Sequence, residues 1–109
     1  MVDKILSLRV FPDEHGNINI SLDDVNGSIL SISQFTLCAD PYKGRRPSFV
    51  DALRPNEAEP LYDYFNELLE QKHGKVSTGV FGADMDVYSI NEGPFTLILD
   101  SKDHCYINL

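Results

Sequence analysis

The chain has 109 residues, of which 42% are hydrophobic, and this is enough for one domain with one modest core. Its 17 acidic residues outnumber the 9 basic ones, and the net charge of −8 argues against a protein that grips long stretches of nucleic-acid backbone. No apolar run has the length of a membrane span and no signal peptide opens the chain, so we expect a cytoplasmic protein with no membrane partner.

The residues that most often bind metals are scattered along this sequence. Cys38 and Cys105 lie far apart without CxxC spacing, and His15, His73 and His104 show no ligand spacing. We therefore predict no disulfide framework, no metal site and no cofactor. Cys38 itself is explained equally well as a small buried residue and as part of a site.

The first half of the chain reads mainly as strands and turns. Residues 1–10 combine the end of a helix with the start of a strand, and residues 11–17 form a polar turn. Residues 18–22 alternate as a short strand. The Asn26-Gly27 pair then favours a tight turn into a second strand that runs to Leu37. This pattern predicts a hairpin over residues 18–37.

Residues 40–55 have no periodicity and contain several prolines, which predicts a long loop. Phe49 is expected to anchor this loop to the core. The loop holds a basic cluster whose simplest interpretation is a solvated tip; its members are Lys43, Arg45 and Arg46.

A complete helix is predicted over residues 56–73, beginning at an Asn56 cap and ending at Gly74. Its expected core face contains Leu61, Phe65, Leu68 and Leu69, with Tyr64 at its edge and Asn66 in water. Strands are predicted over residues 75–82, 85–90 and 94–99. The predicted class is α+β, a single domain over residues 1–109 with a curved, mostly antiparallel sheet and one full helix.

Uncharged hydrogen-bonding side chains lie at the C-terminal end of the predicted strand that begins near Ile29, close to the basic cluster. They are Ser33, Gln34 and Thr36. A threonine nucleophile needs a neighbouring base, and none is adjacent in the sequence. Thr36 is therefore interpreted either as a nucleophile or, with better support, as a residue that forms hydrogen bonds and positions its neighbours.

A second compact motif lies near the far end, where Gly93-Pro94 is flanked by Asn91 and Thr96. Gly-Pro is common in ordinary turns, but a proline bond is also the one peptide bond for which the cis form costs little. The polar residues on both sides favour a functional loop over a plain turn.

Together, Ser33-Gln34-Phe35-Thr36 and residues 91–96 resemble the paired signature of the D-aminoacyl-tRNA deacylases, also called D-tyrosyl-tRNA deacylases. Intervening blocks at residues 44–49, 61–65 and 78–85 agree with this family in the same order, so the resemblance covers nearly the whole chain. It implies hydrolysis of the ester that joins a D-amino acid, or glycine mischarged on tRNA-Ala, to the tRNA 3′ end.

The resemblance also implies roles for particular residues. Ser33, Gln34, Phe35 and Thr36 would line the catalytic pocket, where backbone amides hold the ester carbonyl. The family is homodimeric with its site at the interface, and a cis Gly93-Pro94 would reach across from the partner subunit and exclude L side chains.

Further residues follow from the same resemblance. Phe81 and Met85 would form pocket walls, and Asn91 and Thr96 would bind the substrate together with Gly93 and Pro94. The basic cluster at Lys43, Arg45 and Arg46 would contact tRNA phosphate.

The sequence departs from this family at its start. Members of the family open with a hairpin, a further strand and most of a helix before the position that matches Met1, and this region includes an arginine that braces the Gly-Pro segment. We therefore expect a domain that is N-terminally truncated relative to the family. The alternative to an active enzyme is an inactive remnant that dimerises or binds the tRNA end.

Overall fold

The structure is a computed structural model that describes residues 1–102. Cys105 and His104, considered above, lie outside the described residues. The helices are α1 (Val2–Ser7), α2 (Leu22–Val25) and α3 (Pro55–His73), with a 3-10 turn at Phe35–Cys38. The strands are β1 (Arg9–Pro12), β2 (Ile18–Ser21), β3 (Ile29–Ser31) and β4 (Val76–Thr78). The mixed helix and strand content confirms the α+β class.

The N-terminal hairpin pairs β1 with β2, antiparallel and with Arg9 opposite Ser21. The Asp13 carboxylate closes its loop by accepting hydrogen bonds from the backbone N–H groups of His15 and Asn17, both at 2.9 Å. The predicted helix end and strand start within residues 1–10 are thus confirmed, because α1 passes directly into β1.

The predicted hairpin over residues 18–37 is wrong. Residues expected to form its turn instead form α2, whose first turn is capped by Ser21 Oγ, which accepts from the Asp24 N–H at 3.2 Å. Asn26 then ends α2 in the left-handed region at φ 52°. The chain therefore leaves β2 through a helix instead of a tight turn, and β3 pairs in parallel with β4, with Ser31 opposite Thr78.

Helix α3 joins β3 to β4 and so forms the long connection that a parallel pair requires. It begins one residue earlier than predicted, and the predicted Asn56 cap is wrong, because Asn56 lies inside the helix and Arg54 stands at the cap. Pro55 occupies the first turn, where a missing N–H costs nothing. It ends as predicted at Gly74, which has φ 88°.

The core is small and lies where α1, α2 and α3 meet. Its buried apolar side chains are Val2, Leu6, Leu22 and Leu69, with Phe11, Ile29, Phe65, Leu68 and Val76 packed against them.

The face that α3 presents to this core differs in part from the prediction. Leu61 and Tyr64 are 61% and 56% exposed, whereas Tyr62 is half-buried. Asn66, expected in water, has its Oδ1 buried without a hydrogen-bond partner in the described chain. The buried face follows the spacing Tyr62, Phe65, Leu69, which turns it away from Leu61.

The predicted strand over residues 75–82 is reduced to β4, and the strands predicted over residues 85–90 and 94–99 are not formed. A strand needs a hydrogen-bonded neighbour, and residues 1–102 provide none for either segment. Their apolar side chains are consequently exposed, with Tyr88 at 89%, Ile90 at 95% and Ile98 at 93%. Separately, none of the helices within residues 1–102 is long and apolar enough to cross a membrane.

Candidate functional site

The first half of the site follows the end of β3. The strand expected to continue to Leu37 stops at Ser31, and after three residues without regular secondary structure the chain enters the 3-10 turn. Gln34 stands at the N-cap of this turn with φ −148° and ψ 90°. Ser33 is half-buried, and Gln34, Phe35 and Thr36 are exposed. The motif therefore projects from the sheet on a tight turn.

The Thr36 hydroxyl is held by its own motif. Gln34 Nε2 donates a hydrogen bond to Thr36 Oγ1 at 2.6 Å. Within residues 1–102, no histidine, lysine or carboxylate forms a hydrogen bond to this oxygen. This hydrogen bond orients the Thr36 hydroxyl, but among the described residues no base is bonded to it that could remove its proton.

Backbone amides at the start of the 3-10 turn are a second set of hydrogen-bonding groups in this motif. Leu37 is the first residue of the turn whose N–H meets a backbone carbonyl, that of Gln34 at 3.3 Å. The amides of Phe35 and Thr36 precede it, as expected for the first residues of a helical turn. Such groups can bind a carbonyl oxygen on which negative charge develops.

The basic cluster lies on a loop that leaves this turn directly. Backbone hydrogen bonds of 2.8 and 2.9 Å between Asp40 and Ser48 close the base of the loop. Phe49 packs on Phe35 with ring centroids 5.1 Å apart and is 41% exposed, so it anchors the loop to the motif and not, as predicted, to the core. We call the segment between Asp40 and Ser48 the basic loop; its exposed cations are Lys43, Arg45 and Arg46.

Two predicted pocket walls, Phe81 and Met85, lie close to the end of β3. The Phe81 ring packs against Tyr62 with centroids 6.0 Å apart. Met85 Sδ accepts a hydrogen bond from the Val80 N–H at 3.4 Å. A Cβ at Gly79 would lie 2.5 Å from Met85 Sδ and 3.1 Å from Ile32 Cδ1, so Gly79 lets Met85 approach the strand end.

Sequence reasoning missed Tyr62 and Gly79 as contributors to this region. Tyr62 could have been found from its helical spacing to Phe65 and Leu69, which places it on the buried face. Gly79 gave no signal, because the need for glycine arises from the close approach of Met85 and Ile32, which only the folded chain brings together.

The second half of the site is the loop that carries Gly93 and Pro94. The Asn91 side chain fastens it: Oδ1 accepts from the Phe95 N–H at 2.9 Å, and Nδ2 donates to Thr96 Oγ1 at 3.0 Å. The Gly93–Pro94 bond is cis, as the resemblance implied. Gly93 has φ 128°, a conformation that an L side chain rarely adopts.

The two halves are not joined to each other within residues 1–102. Among residues 1–102, no hydrogen bond or aromatic contact links residues 33–36 to residues 91–96. Both segments are largely exposed. The structure therefore brings Phe81 and Met85 to the strand end, but leaves the Gly-Pro loop as a separate surface feature.

Titratable groups with displaced pKa values lie away from both halves, near the C-terminal end of α3. His73 donates toward the Gly27 carbonyl at 2.6 Å and toward the Asp23 carboxylate at 2.9 Å, and in that order these bonds raise the pKa of His73. A hydrogen bond and the charge of Lys72 lower the pKa of Asp3.

The part of the chain that the structure describes holds no candidate metal site. Residues 1–102 contain no group of three or more His, Cys, Asp or Glu side chains that could hold a metal ion. Cys38 is exposed, which removes its interpretation as a small buried residue.

Comparison with known proteins gives a consistent result. The family model for D-Tyr-tRNA(Tyr) deacylase matches residues 1–100. A D-aminoacyl-tRNA deacylase of Anoxybacillus flavithermus is 60% identical over 102 residues, which cover 94% of this chain and 70% of that protein. One of Bacillus velezensis is 56% identical, with 94% and 69% covered.

Two further matches add contrast. An inactive D-aminoacyl-tRNA deacylase of Bacillus subtilis is 53% identical over 102 residues and has 77% of its length covered. A solved structure titled c-Myc DNA Unwinding Element Binding Protein is 42% identical with a TM-score of 0.85, over 93% of this chain and 69% of that one. With both predicted motifs inside the matched range, the chain belongs to the D-Tyr-tRNA(Tyr) deacylase family.

Proposed function

We propose that this chain hydrolyses the ester bond that joins a D-amino acid to the 3′ end of tRNA, and so removes mischarged D-amino acids before translation uses them. The observation that carries the proposal is the family match over residues 1–100, which includes the complete motif at residues 33–36 and the Gly-Pro loop. The same chemistry extends to glycyl-tRNA-Ala, since glycine has no side chain to exclude. Its substrate also points to a cytoplasmic location.

We infer that the reaction uses backbone groups and water. The amides of Phe35 and Thr36 hold the ester carbonyl oxygen, on which negative charge develops as water attacks the carbonyl carbon. The bond from this carbon to the ribose 3′ oxygen then breaks, and the 3′ oxygen takes up a proton. The products are free D-amino acid and tRNA.

Thr36 acts in this scheme as a positioning residue. Its oxygen accepts from Gln34 Nε2 at 2.6 Å, and no base hydrogen-bonds to it within residues 1–102. Water activation therefore falls to the substrate, whose terminal ribose 2′-hydroxyl lies next to the ester.

Selection of the D enantiomer requires the Gly-Pro loop to reach this turn. In one chain the two segments make no hydrogen bond with each other across residues 1–102, and both face outward. We propose that a homodimer brings Gly93 and Pro94 of one copy to residues 33–36 of the other. The exposed apolar side chains of Tyr88, Ile90 and Ile98, next to this loop, favour such an assembly.

The basic loop is proposed to contact the tRNA acceptor end. It leaves the turn that carries Thr36, and its three cations provide a local positive charge on a chain of net charge −8. A short acceptor end needs few phosphate contacts, so overall acidity does not oppose this role.

A second candidate function is supported by one observation. The Bacillus subtilis relative, 53% identical, is named an inactive D-aminoacyl-tRNA deacylase. A member of this family can thus have lost activity, and the alternative for this chain is an inactive protein that dimerises or binds the tRNA end.

The test measures the ester half-life of D-tyrosyl-tRNA(Tyr) and L-tyrosyl-tRNA(Tyr) with and without the protein, while the number of copies is followed by light scattering. If the chain is the enzyme, the ester half-life of D-tyrosyl-tRNA(Tyr) should shorten, and that of the L form should not, at protein concentrations where the dimer exists. An unchanged half-life together with tRNA binding would establish the inactive alternative.

A further inference from the structure

Tyr62 lies on α3 at a point where two parts of the candidate site can be held together. Its hydroxyl is 2.8 Å from Ser31 Oγ, and its ring packs on Phe81 with centroids 6.0 Å apart. The two partners are distant in sequence from each other, and Tyr62 contacts both of them. No other residue of α3 has such a pair of contacts among the described hydrogen bonds and ring contacts.

Ser31 is the last residue of β3 and is 9% exposed. Its carbonyl accepts a hydrogen bond from the Gly79 N–H at 3.3 Å, which extends the pairing with β4 by one step. The chain then leaves the sheet for residues 33–36. Ser31 is therefore the last fixed point before the segment that carries the ester-binding amides, and Tyr62 holds its side chain.

Phe81 stands on the other side of the same tyrosine. It follows β4, just as residues 33–36 follow β3, and the parallel pairing of these strands brings both segments to the same edge. The ring contact with Tyr62 fixes Phe81 relative to α3. One side chain thus sets the separation between the ester-binding turn and a pocket wall.

We propose that Tyr62 is a positioning residue for the deacylation reaction, acting through Ser31 and Phe81 without touching the substrate; this rests on the proposed function. Substrate affinity depends on the surfaces of the pocket and the basic loop, which Tyr62 does not contribute. The rate of the chemical step depends on where the amides of residues 35 and 36 stand relative to the ester carbonyl, and small displacements there are costly. Loss of the tyrosine hydroxyl should therefore lower kcat more than it raises KM.

The experiment compares Tyr62→Phe, Ser31→Ala and the double variant with D-tyrosyl-tRNA(Tyr) as substrate. Tyr62→Phe keeps the ring on Phe81 and removes only the hydroxyl. We expect each single variant to lower kcat about three- to tenfold, the range that one hydrogen bond between uncharged groups is worth, with KM changed less than twofold. The double variant should be no slower than either single one, because all three lack the same bond.

Tyr64→Phe is the matched control, since it makes the same chemical change at an exposed position of the same helix, and it should leave kcat unchanged. A kcat of Tyr62→Phe equal to that of the wild type, or losses that multiply in the double variant, would overturn the proposal. A raised KM at constant kcat would do so too, since Tyr62 would then contribute to substrate binding. If Tyr62→Phe fails to fold, Ser31→Ala tests the same bond from its other end.

A readout that does not use activity separates this proposal from the proposed function. Backbone order parameters of residues 33–37 and hydrogen-exchange protection of the Gly79 amide should fall in Tyr62→Phe and stay constant in Tyr64→Phe. An inactive wild type with these changes would refute the proposed function and retain the role of Tyr62 in holding the strand end. Unchanged order parameters and protection would refute that role.

Discussion

Replacing Gly93 with alanine perturbs the Gly-Pro loop at one atom. Gly93 has φ 128°, and an added Cβ would lie 3.0 Å from the Phe95 backbone nitrogen and 3.4 Å from its Cβ. Both the backbone conformation and the contact oppose the new methyl group. Residues held in such conformations cost about 1–3 kcal/mol each.

The loop can relieve this strain by moving, because it is exposed and is fastened mainly by Asn91. A cost of about 1–3 kcal/mol lowers the population of the present loop conformation roughly 5- to 150-fold, at about 1.4 kcal/mol for each factor of ten. We therefore expect hydrolysis of D-tyrosyl-tRNA(Tyr) to fall by this order, while thermal stability falls little. Selectivity for the D form over the L form should also decrease, because the displaced loop no longer excludes L side chains.

Gly16→Ala provides the matched control. Gly16 also has a positive φ, 80°, but a Cβ there would meet nothing within 4 Å, and it lies in the loop of the β1–β2 hairpin. Gly16→Ala should lower the stability of the protein through backbone strain, without any change in activity or selectivity. Wild-type rates and selectivity for Gly93→Ala, measured by the ester half-lives of both tRNAs, would refute the role of the loop in the site.

Three further results are expected. Thr36→Ala should lower kcat less than tenfold, because the backbone amides remain. A loss of a thousandfold or more would instead support Thr36 as the nucleophile. Neutralising the three cations of the basic loop with alanine should weaken tRNA binding and reduce the slope of log affinity against log salt by about 2, and an unchanged slope would remove the loop from the tRNA contact. Two hydrogen bonds, chiefly the one to Gly27 and then the one to Asp23, raise the pKa of His73 above its ordinary 6.5. The stability that these bonds give the folded protein is fully present below pH 6.5 and is lost as the pH rises through the raised pKa. The difference in Tm between wild type and His73→Gln should therefore shrink from pH 6 to pH 9, and a constant difference would contradict the assignment.

The sequence predicted those parts of the fold that depend on local signals. Helix α3 was predicted within one residue at its start and correctly at its end, because the acidic first turn and Gly74 are local features. The hairpin over residues 18–37 was wrong because Asn26-Gly27 favours a tight turn and equally suits a left-handed helix end. In the structure, the Ser21 cap settles the choice in favour of α2.

Partners distant in sequence decided the rest. Residues 85–99 alternate as strands should, but alternation gives only the faces of a strand and not its neighbour, which residues 1–102 do not supply. The motif at residues 33–36 was found because its side chains are chemically distinctive. Tyr62 was missed because a tyrosine among apolar residues gives no sign that its hydroxyl meets a serine 31 positions away.

The placement of β3 shows why α3 matters to a site that it does not enter. A pair of three-residue strands is marginal by itself. On the face of α3 that carries Phe65 and Leu69, two polar side chains each form a hydrogen bond to the chain near one end of β3. His73 meets the Gly27 carbonyl ahead of the strand, and Tyr62 meets the hydroxyl of Ser31 at its last residue. The 11 residue steps from Tyr62 to His73 rise about 16 Å along the helix, and the 4 steps from Gly27 to Ser31 extend about 13 Å along the strand. The helix runs antiparallel to the strand, and this segment of it is therefore long enough to span β3. Leu69 and Phe65 stabilise the packing of α3 on the core, whereas Tyr62 and His73 fix where β3 lies and hence where the proposed ester-binding turn begins.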